Sequence, residues 1–405
     1  MNKNVTLIDG IKFIDENNIR GAKALVRVDF NVPIDETGQI LDDRRVRSVL
    51  PTINYLLDEK CKVVILSHMG RPKGKRIPTM SLAPVAKRLS RLLEKDVLFV
   101  EDCIGEKVKS AVRSNYDIIL LENVRYYAQE NENNVDFAKQ IKESVEPDIY
   151  VNDAFAVSHR KHASVYALPL LFEKAKRYAG NLMKKELLSL ERLLINPQKP
   201  FVAIVGGAKV SDKIGALKNI LSLCDKLIIG GAMAFTFLEA MGYKAGKSLV
   251  EKDFIPVAKD VLSEAAKRGI KVYLPVDCII AKSIDEDGIR VVPVQEIPDD
   301  YGGYDIGPAT IALFSEALAD AKTIVWNGPM GVFEKPQFSK GTFSMVSMIA
   351  NSTAYTVVGG GDTDVAVIKM GEQHRISYIS TGGGAFLQVL EGKELPGIEA
   401  LKDTN

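Results

Sequence analysis

The sequence predicts an α/β protein of two Rossmann-like lobes with parallel sheets, joined by an interdomain helix. Three observations predict it. Short β-branched runs alternate with amphipathic segments over the whole length, the pattern of parallel strands with helical crossovers. At 405 residues the chain is long for one hydrophobic core, so two domains are expected. The apolar runs also end in two different chemistries, and the change falls near the middle.

In the first half the runs end in charged and amide residues. Val26 to Val28 meets Asp29 and Asn31, Val63 to Leu66 meets His68 and Arg71, Ile118 to Leu121 meets Asn123 and Arg125, and Ile149 to Val151 meets Asn152, Asp153 and Arg160. In the second half they end in glycine: Phe201 to Val205 at Gly206-Gly207, Leu227 to Ile229 at Gly230-Gly231, Tyr355 to Val358 at Gly359-Gly360-Gly361, and Ile379 to Thr381 at Gly382-Gly383-Gly384. Parallel strands bind ligands at their carboxyl ends. One half is therefore expected to meet a small anion with side chains, and the other to meet a phosphate chain with backbone N–H groups. Two such half-sites suit phosphoryl transfer between two substrates.

Between the halves, Met183 to Leu194 carries Leu187, Leu188, Leu190, Leu193 and Leu194 at helical spacing and stops at Asn196-Pro197. It is read as the connector, with a first domain over 1–182 and a second over 195–390. Within the second half, a periodic stretch follows Asp253 and ends at Gly269, and Pro308 after Gly307 opens another helix.

Composition narrows the function. Hydrophobic content of 46% and charged content of 26% are globular values, and a net charge of +1 argues against broad nucleic-acid or membrane attraction. The four cysteines show no CxxC pair, which suits reduced thiols in a cytoplasmic protein. No apolar stretch is long enough to span a bilayer.

The motifs gain weight by recurrence. A lone glycine pair after a strand is a turn, but Gly206 to Lys213 leads from a strand into a helical stretch and places Lys209 and Lys213 within reach of a polyphosphate. Gly359 to Asp362 adds a carboxylate at a predicted helix start, where Asp362 suits either Mg²⁺ or an N-cap. Gly242 to Ser248 reads GxxxGKS, one residue short of the Walker A spacing and not after a strand, so it is taken as a chance match. No GxGxxG opens a βαβ unit, which argues against nicotinamide chemistry. Any one arginine is ordinarily a solvated surface residue. Asp29, Asn31, Arg45, His68, Arg71, Arg125 and Arg160 instead follow consecutive strands, and arginine binds phosphate and carboxylate bidentately. His159 and His162 lack a third ligand at zinc spacing.

Taken together these segments resemble the phosphoglycerate kinase family over nearly the whole chain. The blocks are RVDFNVP (27–33), SHMGRP (67–72), LENVR (121–125), VNDAF with HRKHAS (151–164), GGAKVSDK (206–213), GGAMAFTF (230–237), VWNGPMGVFE (325–334), VVGGGDT (357–363) and STGGGAFLQVLEGKELPG (380–397). The resemblance implies a lobe for 3-phosphoglycerate or 1,3-bisphosphoglycerate and a lobe for MgADP or MgATP. It assigns Asp29, Asn31, Arg45, His68, Arg71, Arg125 and Arg160 to the glycerate ligand. It assigns Lys209, Lys213, Gly231, Gly303, Asn327, Glu334, Asp362 and Thr363 to nucleotide, transferring phosphoryl or metal, with Asp362 the metal ligand. It also implies a C-terminal segment, 391–405, that returns to the first lobe, and a monomer. The chain departs from the family at Ala156-Val157-Ser158, where Gly-Thr-Ala is usual, and at Ala232, where a third glycine is common. Alanine at a positive φ is strained.

In the reaction so implied the attacking group is already an anion, a carboxylate or a phosphate, so no general base is needed. The transition state requires in-line alignment and positive charge. Arg45 and Lys213 are expected to supply that charge from opposite sides. N–H groups at the Gly360-Gly361 and Gly383-Gly384 helix starts add to it. Closure about 183–194 would bring the half-sites together and exclude water. A kinase for another carboxylate, such as acetate or aspartate, would share the nucleotide lobe but has no use for four arginines and a histidine in the other. A non-catalytic binding protein would have lost Lys213, Asp362 or Arg45, and all three are present.

Overall fold

The computed structural model describes residues 7–286 and 288–403. They form two compact units, one of residues 7–188 with 394–403 and one of residues 189–393.

The first unit holds a parallel sheet of β1 (Lys23–Arg27), β2 (Lys62–Leu66), β3 (Val97–Val100), β4 (Ile118–Leu121), β5 (Ile149–Asn152) and β6 (Arg177–Ala179), in the order β3-β4-β2-β1-β5-β6. The central strands β1, β2, β4 and β5 are buried almost throughout, as strands covered by helices on both faces must be. The helix Arg44–Asp58 covers the sheet with Val46, Val49, Ile53 and Leu56, the i, i+3, i+4 spacing of one apolar face. Because β1, β2, β4 and β5 are parallel, the residues that follow them collect at one edge.

The second unit holds β7 (Phe201–Val205), β8 (Lys226–Ile229), β9 (Lys271–Tyr273), β13 (Thr323–Asn327), β14 (Tyr355–Val358) and β15 (Tyr378–Ile379), all parallel, in the order β15-β14-β13-β7-β8-β9. Trp326, Phe314 and Val358 lie at 0% exposure in its core. A second sheet, antiparallel and three-stranded, joins β10 (Asp277–Ala281), β11 (Arg290–Pro293) and β12 (Gly302–Ile306) in the order β11-β10-β12. The sequence reading placed only parallel sheets here. β11 is largely exposed and gives no buried run to detect.

The expected connector is a helix, Asn181–Leu194, beginning two residues before the predicted start. The helix after Asp253 runs Ile255–Lys267 and is capped by Phe254 rather than Asp253, which lies in a preceding 3-10 turn. Pro308 opens the helix Pro308–Leu318 as expected. Ala156 sits in the 3-10 turn Phe155–Val157 and is not among the residues with positive φ, and Ala232 has φ −64°. Neither alanine is strained. No helix among the described residues is long and apolar enough to cross a membrane.

Candidate active site

At the carboxyl edge of the first sheet the loops are fastened to one another before any side chain faces a ligand. Ser67 Oγ accepts from the N–H of Phe30 (2.8 Å) and donates to the carbonyl of Val28 (3.0 Å), tying the ends of β1 and β2. Asn31 Oδ1 accepts from the N–H of Gly70 (2.8 Å), which leaves its NH₂ group to donate elsewhere. Asn123 Nδ2 donates to the carbonyl of Met69 (2.8 Å).

On this frame sits a cluster of cations. Arg45 Nη1 donates to Asp29 Oδ2 (2.9 Å) and to the carbonyl of Asn31 (3.3 Å). Arg125 is 4% exposed, and its Nη1 donates to the carbonyl of Gly70 (2.8 Å). Burial, with Arg27 and Arg160 nearby, lowers its guanidinium to about 10. Arg160 Nε donates to His159 Nε2 (3.3 Å), and Arg71 is exposed in the loop after Gly70. His68 is 2% exposed and held well below its ordinary value by burial and then by Arg27, Arg125 and Arg45. Burial and Arg125 push His162 down to about 3. Arg125 Nε, His159 Nδ1 and His162 Nδ1 are buried without a hydrogen-bond partner. Buried polar atoms are seldom left so, and a cluster of cations with unmet nitrogens fits a multiply charged anion.

The sequence reading did not single out the layer beneath. Arg27 is wholly buried, and it donates from Nε to Ser164 Oγ (2.7 Å) and from Nη1 to the carbonyl of Val28. Ser164 Oγ in turn donates to Glu130 Oε1 (2.6 Å). Glu130 is also wholly buried, with Oε1 4.0 Å from His162 Nδ1. The one available signal was an arginine inside the apolar run of β1, which a buried strand tolerates only with partners.

In the second unit, glycine turns and two charged groups meet at the carboxyl edge of the six-stranded parallel sheet. Lys213 Nζ donates to Asn327 Oδ1, and Asn327 Nδ2 donates to the carbonyl of Gly359 (2.5 Å). Burial lowers the Lys213 ammonium, while Asp212, Asp362 and Glu391 oppose the shift. Asp362 is exposed in the first turn of the helix Gly361–Lys369, next to the Gly360 cap. Among the described residues no hydrogen bond or ion pair engages its carboxylate. Thr363 is buried and accepts from the N–H of Gly328 (2.8 Å), so its hydroxyl pins the β13 loop to the helix start. Gly383 opens the helix Gly383–Leu390, and a Cβ there would come 3.2 Å from Gly360 Cα, which puts the two helix starts side by side. Gly384 is the next residue of that helix. Lys209 is exposed in the loop after β7.

Beside these lies a cleft of about 590 Å³, lined by Gly231, Gly303, Glu334 and Asp362 among others. Two of its walls demand glycine. Gly231 has φ +66°, and a Cβ on it would fall 2.5 Å from the backbone of Gly207; a Cβ on Gly303 would strike the Phe235 ring. Lys247 and Ser248 of the rejected GxxxGKS match line the same cleft, although they follow a helix. Asp305 also lines it and was not foreseen. Its carboxylate accepts from the N–H groups of Gly341 (2.7 Å) and Ile306 (2.9 Å), and burial pushes it up to about 7.

A metal here would rest on Asp362 and on ligand oxygens, since no cluster of three His, Cys, Asp or Glu occurs among the described residues. An exposed carboxylate with no hydrogen bond or ion pair among the described residues, at a glycine-rich helix start, fits Mg²⁺, which takes one or two carboxylates together with substrate phosphates.

The chain is similar to known proteins over nearly its whole length. The family model described as phosphoglycerate kinase matches residues 14–393. A phosphoglycerate kinase of Geobacter sp. (strain M21) is 56% identical over 397 residues, covering 97% of this chain and 98% of that protein. One of Aquifex aeolicus is 51% identical over 395 residues, covering 97% and 98%. Among solved structures, phosphoglycerate kinase from Coxiella burnetii superposes with a TM-score of 0.86 at 42% identity, covering 96% of this chain and 98% of that one. The enzyme from Pyrococcus horikoshii OT3 gives 0.82 at 31%, with the same coverage.

Proposed function

The chain belongs to the phosphoglycerate kinase family and transfers a phosphoryl group reversibly between 1,3-bisphosphoglycerate and ADP, and on that premise we propose which of its residues do the work. The observations that carry the assignment are, in one unit, the arginine cluster with unmet buried nitrogens at Arg125, His159 and His162 and, in the other unit, the glycine turns with Lys213 and an Asp362 carboxylate that makes no hydrogen bond or ion pair among the described residues.

The glycerate ligand is held by Arg71, Arg125 and Arg160, with Asn31 and His68 donating hydrogen bonds and Asp29 orienting Arg45. The nucleotide lies in the cleft of Gly231, Gly303 and Glu334, with its phosphates toward Lys209, Lys213, Asn327 and the Gly360-Gly361-Asp362-Thr363 turn. Asp362 holds Mg²⁺, which neutralises charge on the nucleotide oxygens. During transfer, Lys213 and Arg45 supply positive charge to the moving group, and the N–H groups of Gly383 and Gly384 add oriented donors. The attacking carboxylate or phosphate oxygen is already ionised, so no side chain has to remove a proton. Transfer in line requires the two ligands to be brought together, so closure about the connector helix belongs to the same reading, as do lobes of 1–182 and 195–390 with a returning segment from 391.

A cytoplasmic monomer is proposed with it, supported by four buried free cysteines and near-neutral charge. A coupled assay with 3-phosphoglycerate, ATP and glyceraldehyde-3-phosphate dehydrogenase tests the activity. Turnover lost in Lys213→Ala and Arg45→Ala but kept in Arg44→Ala would support the residue roles; the reverse order would reject them.

A further inference from the structure

Among the described residues the chain passes between the units twice, within the connector helix after residue 188 and again at 393–394. Both passages are fastened to the carboxyl end of β5. The N–H of Asn181, the first residue of the connector, donates to Thr52 Oγ1 (2.9 Å), and the N–H of Met183 donates to Asp153 Oδ1 (2.9 Å). Thr52 Oγ1 donates onward to Asp153 Oδ2 (2.6 Å), and Asn181 Nδ2 reaches the carbonyl of Pro51 (3.3 Å). The neighbouring Asn152 donates from Nδ2 to the carbonyl of Gly397 (3.1 Å), whose N–H donates to the carbonyl of Ser158 (2.8 Å).

A helix leaves its first N–H groups unpaired, and the usual remedy is a local Ser, Thr, Asp or Asn cap. Here two of them are met instead by side chains more than a hundred residues distant or at the end of another strand. Thr52, Asn152 and Asp153 all lie at 0% exposure, and a Cβ on Gly180 would strike Asp153, so the joint has no slack. Thr52 belongs to the helix Arg44–Asp58, which carries Arg45 in its first turn. Asp153 opens the segment that ends in Arg160. Burial pushes the Asp153 carboxyl up to about 7, so a costly group is retained at this joint.

We infer that Thr52 and Asp153 are positioning residues for phosphoryl transfer, fixing the start of the connector helix to the helix that carries Arg45. The direction in which the connector leaves this unit then follows the state of the glycerate half-site. This rests on the transfer reaction given above, and it concerns neither substrate contact nor chemistry at the reacting atoms.

Thr52→Val keeps the side-chain shape and removes both hydrogen bonds of the hydroxyl. It is expected to lower kcat at least tenfold, with the separate affinities for 3-phosphoglycerate and for ADP within twofold of wild type. If closure follows binding as proposed, both ligands together should decrease the radius of gyration of the wild type, and Thr52→Val should lose that decrease. Thr52→Ser should restore kcat, because the hydroxyl returns without the methyl group. Asp153→Asn, read by the same measurements, serves if Thr52→Val does not fold. A kcat within twofold of wild type overturns the inference, as does a loss matched by weaker binding of either ligand alone or by the unfolded fraction. A wild type inactive in the coupled assay would instead reject the underlying reaction, so the two failures are distinguishable.

Discussion

Nη2 of Arg27 lies 3.4 Å from Nδ1 of His68, both side chains buried at the carboxyl ends of adjacent strands. A guanidinium offers only donors, so at this contact Nδ1 acts as acceptor and the imidazole is neutral, with its proton on Nε2. Asp29 Oδ1 stands 3.9 Å from the same nitrogen and would favour the opposite arrangement, but burial and three arginines outweigh it. Arg27 thereby leaves His68 an N–H to give to an anion.

The first prediction follows from that tautomer. Because the folded-state pKa of His68 is depressed, its neutral form contributes stability above the unfolded value of about 6.5, and that stability is lost as pH falls below it. In ¹⁵N spectra of the ligand-free wild type, His68 should show an unprotonated Nδ1 and should not titrate near pH 6.5. Binding of 3-phosphoglycerate adds negative charge and should raise the depressed histidines, so binding at about pH 6 should take up protons. A His68 that titrates normally, or carries its proton on Nδ1, contradicts the Arg27 contact.

Lys213 gives a second. Its ammonium is partly buried and bonded to Asn327, so it has already lost much of its water and, in the proposed role, would meet developing charge without reorganising. Lys213→Ala should lower turnover by at least about a hundredfold while the affinity for 3-phosphoglycerate stays near wild type. Turnover within tenfold would remove Lys213 from the transition state.

The legibility of the sequence followed its periodicity. Strands β1, β2, β4, β5, β7, β8 and β14 were visible as apolar runs because both of their faces are covered, and the residues after them fell at one edge because parallel strands share a direction. β11 carried no such pattern, since exposure frees its side chains from any constraint. Arg27, Glu130, Ser164 and Asp305 were not singled out because each is defined by partners far along the chain: Arg27 meets Ser164 across 137 positions, and Asp305 meets Gly341 across 36. Spacing can expose a turn or a helix face, but a buried polar network is set by tertiary packing.

Asp362 is the subject of the third. Asp362→Asn keeps the side-chain shape but loses the anionic ligand, so the Mg²⁺ concentration needed for half-maximal activity should rise. Thermal stability should hardly change, because the carboxylate makes no hydrogen bond to the described residues. An unchanged Mg²⁺ titration would move the metal to another group.

Asp305 makes a prediction about stability. Its folded-state pKa of about 7 lies above the unfolded value, so the folded protein binds the extra proton and its advantage from this group is lost as pH rises between them. Asp305→Asn removes that titration. An amide NH₂ facing a backbone N–H imposes a cost that does not vary with pH. Stability of the variant relative to wild type should therefore improve by up to roughly 1.4 kcal/mol per pH unit between about pH 4 and 7, then level off. Urea unfolding at a series of pH values measures it, and a pH-independent difference would show that Asp305 titrates normally.

Arg45 and Arg125 should separate by role although both belong to the cation cluster. Arg125 is 4% exposed, fixed by Gly70, and has a buried Nε with no partner, which is the state of a side chain already in place for a bound anion. Arg125→Ala should therefore raise the KM for 3-phosphoglycerate with a smaller loss in kcat, the pattern of binding shared by ground and transition states. Arg45 is 39% exposed and paired with Asp29, so in the ligand-free protein its charge is engaged elsewhere. If it turns to the phosphoryl group only as transfer proceeds, Arg45→Ala should depress kcat far more than it weakens equilibrium binding. Calorimetric titration with 3-phosphoglycerate, paired with steady-state kinetics on both variants, decides the matter. Loss of binding in Arg45→Ala with kcat preserved at saturating substrate would assign it to ground-state binding. Arg44 would not take its place readily, because its guanidinium already grips Asp42 through Nε and Nη2 (2.8 and 2.5 Å).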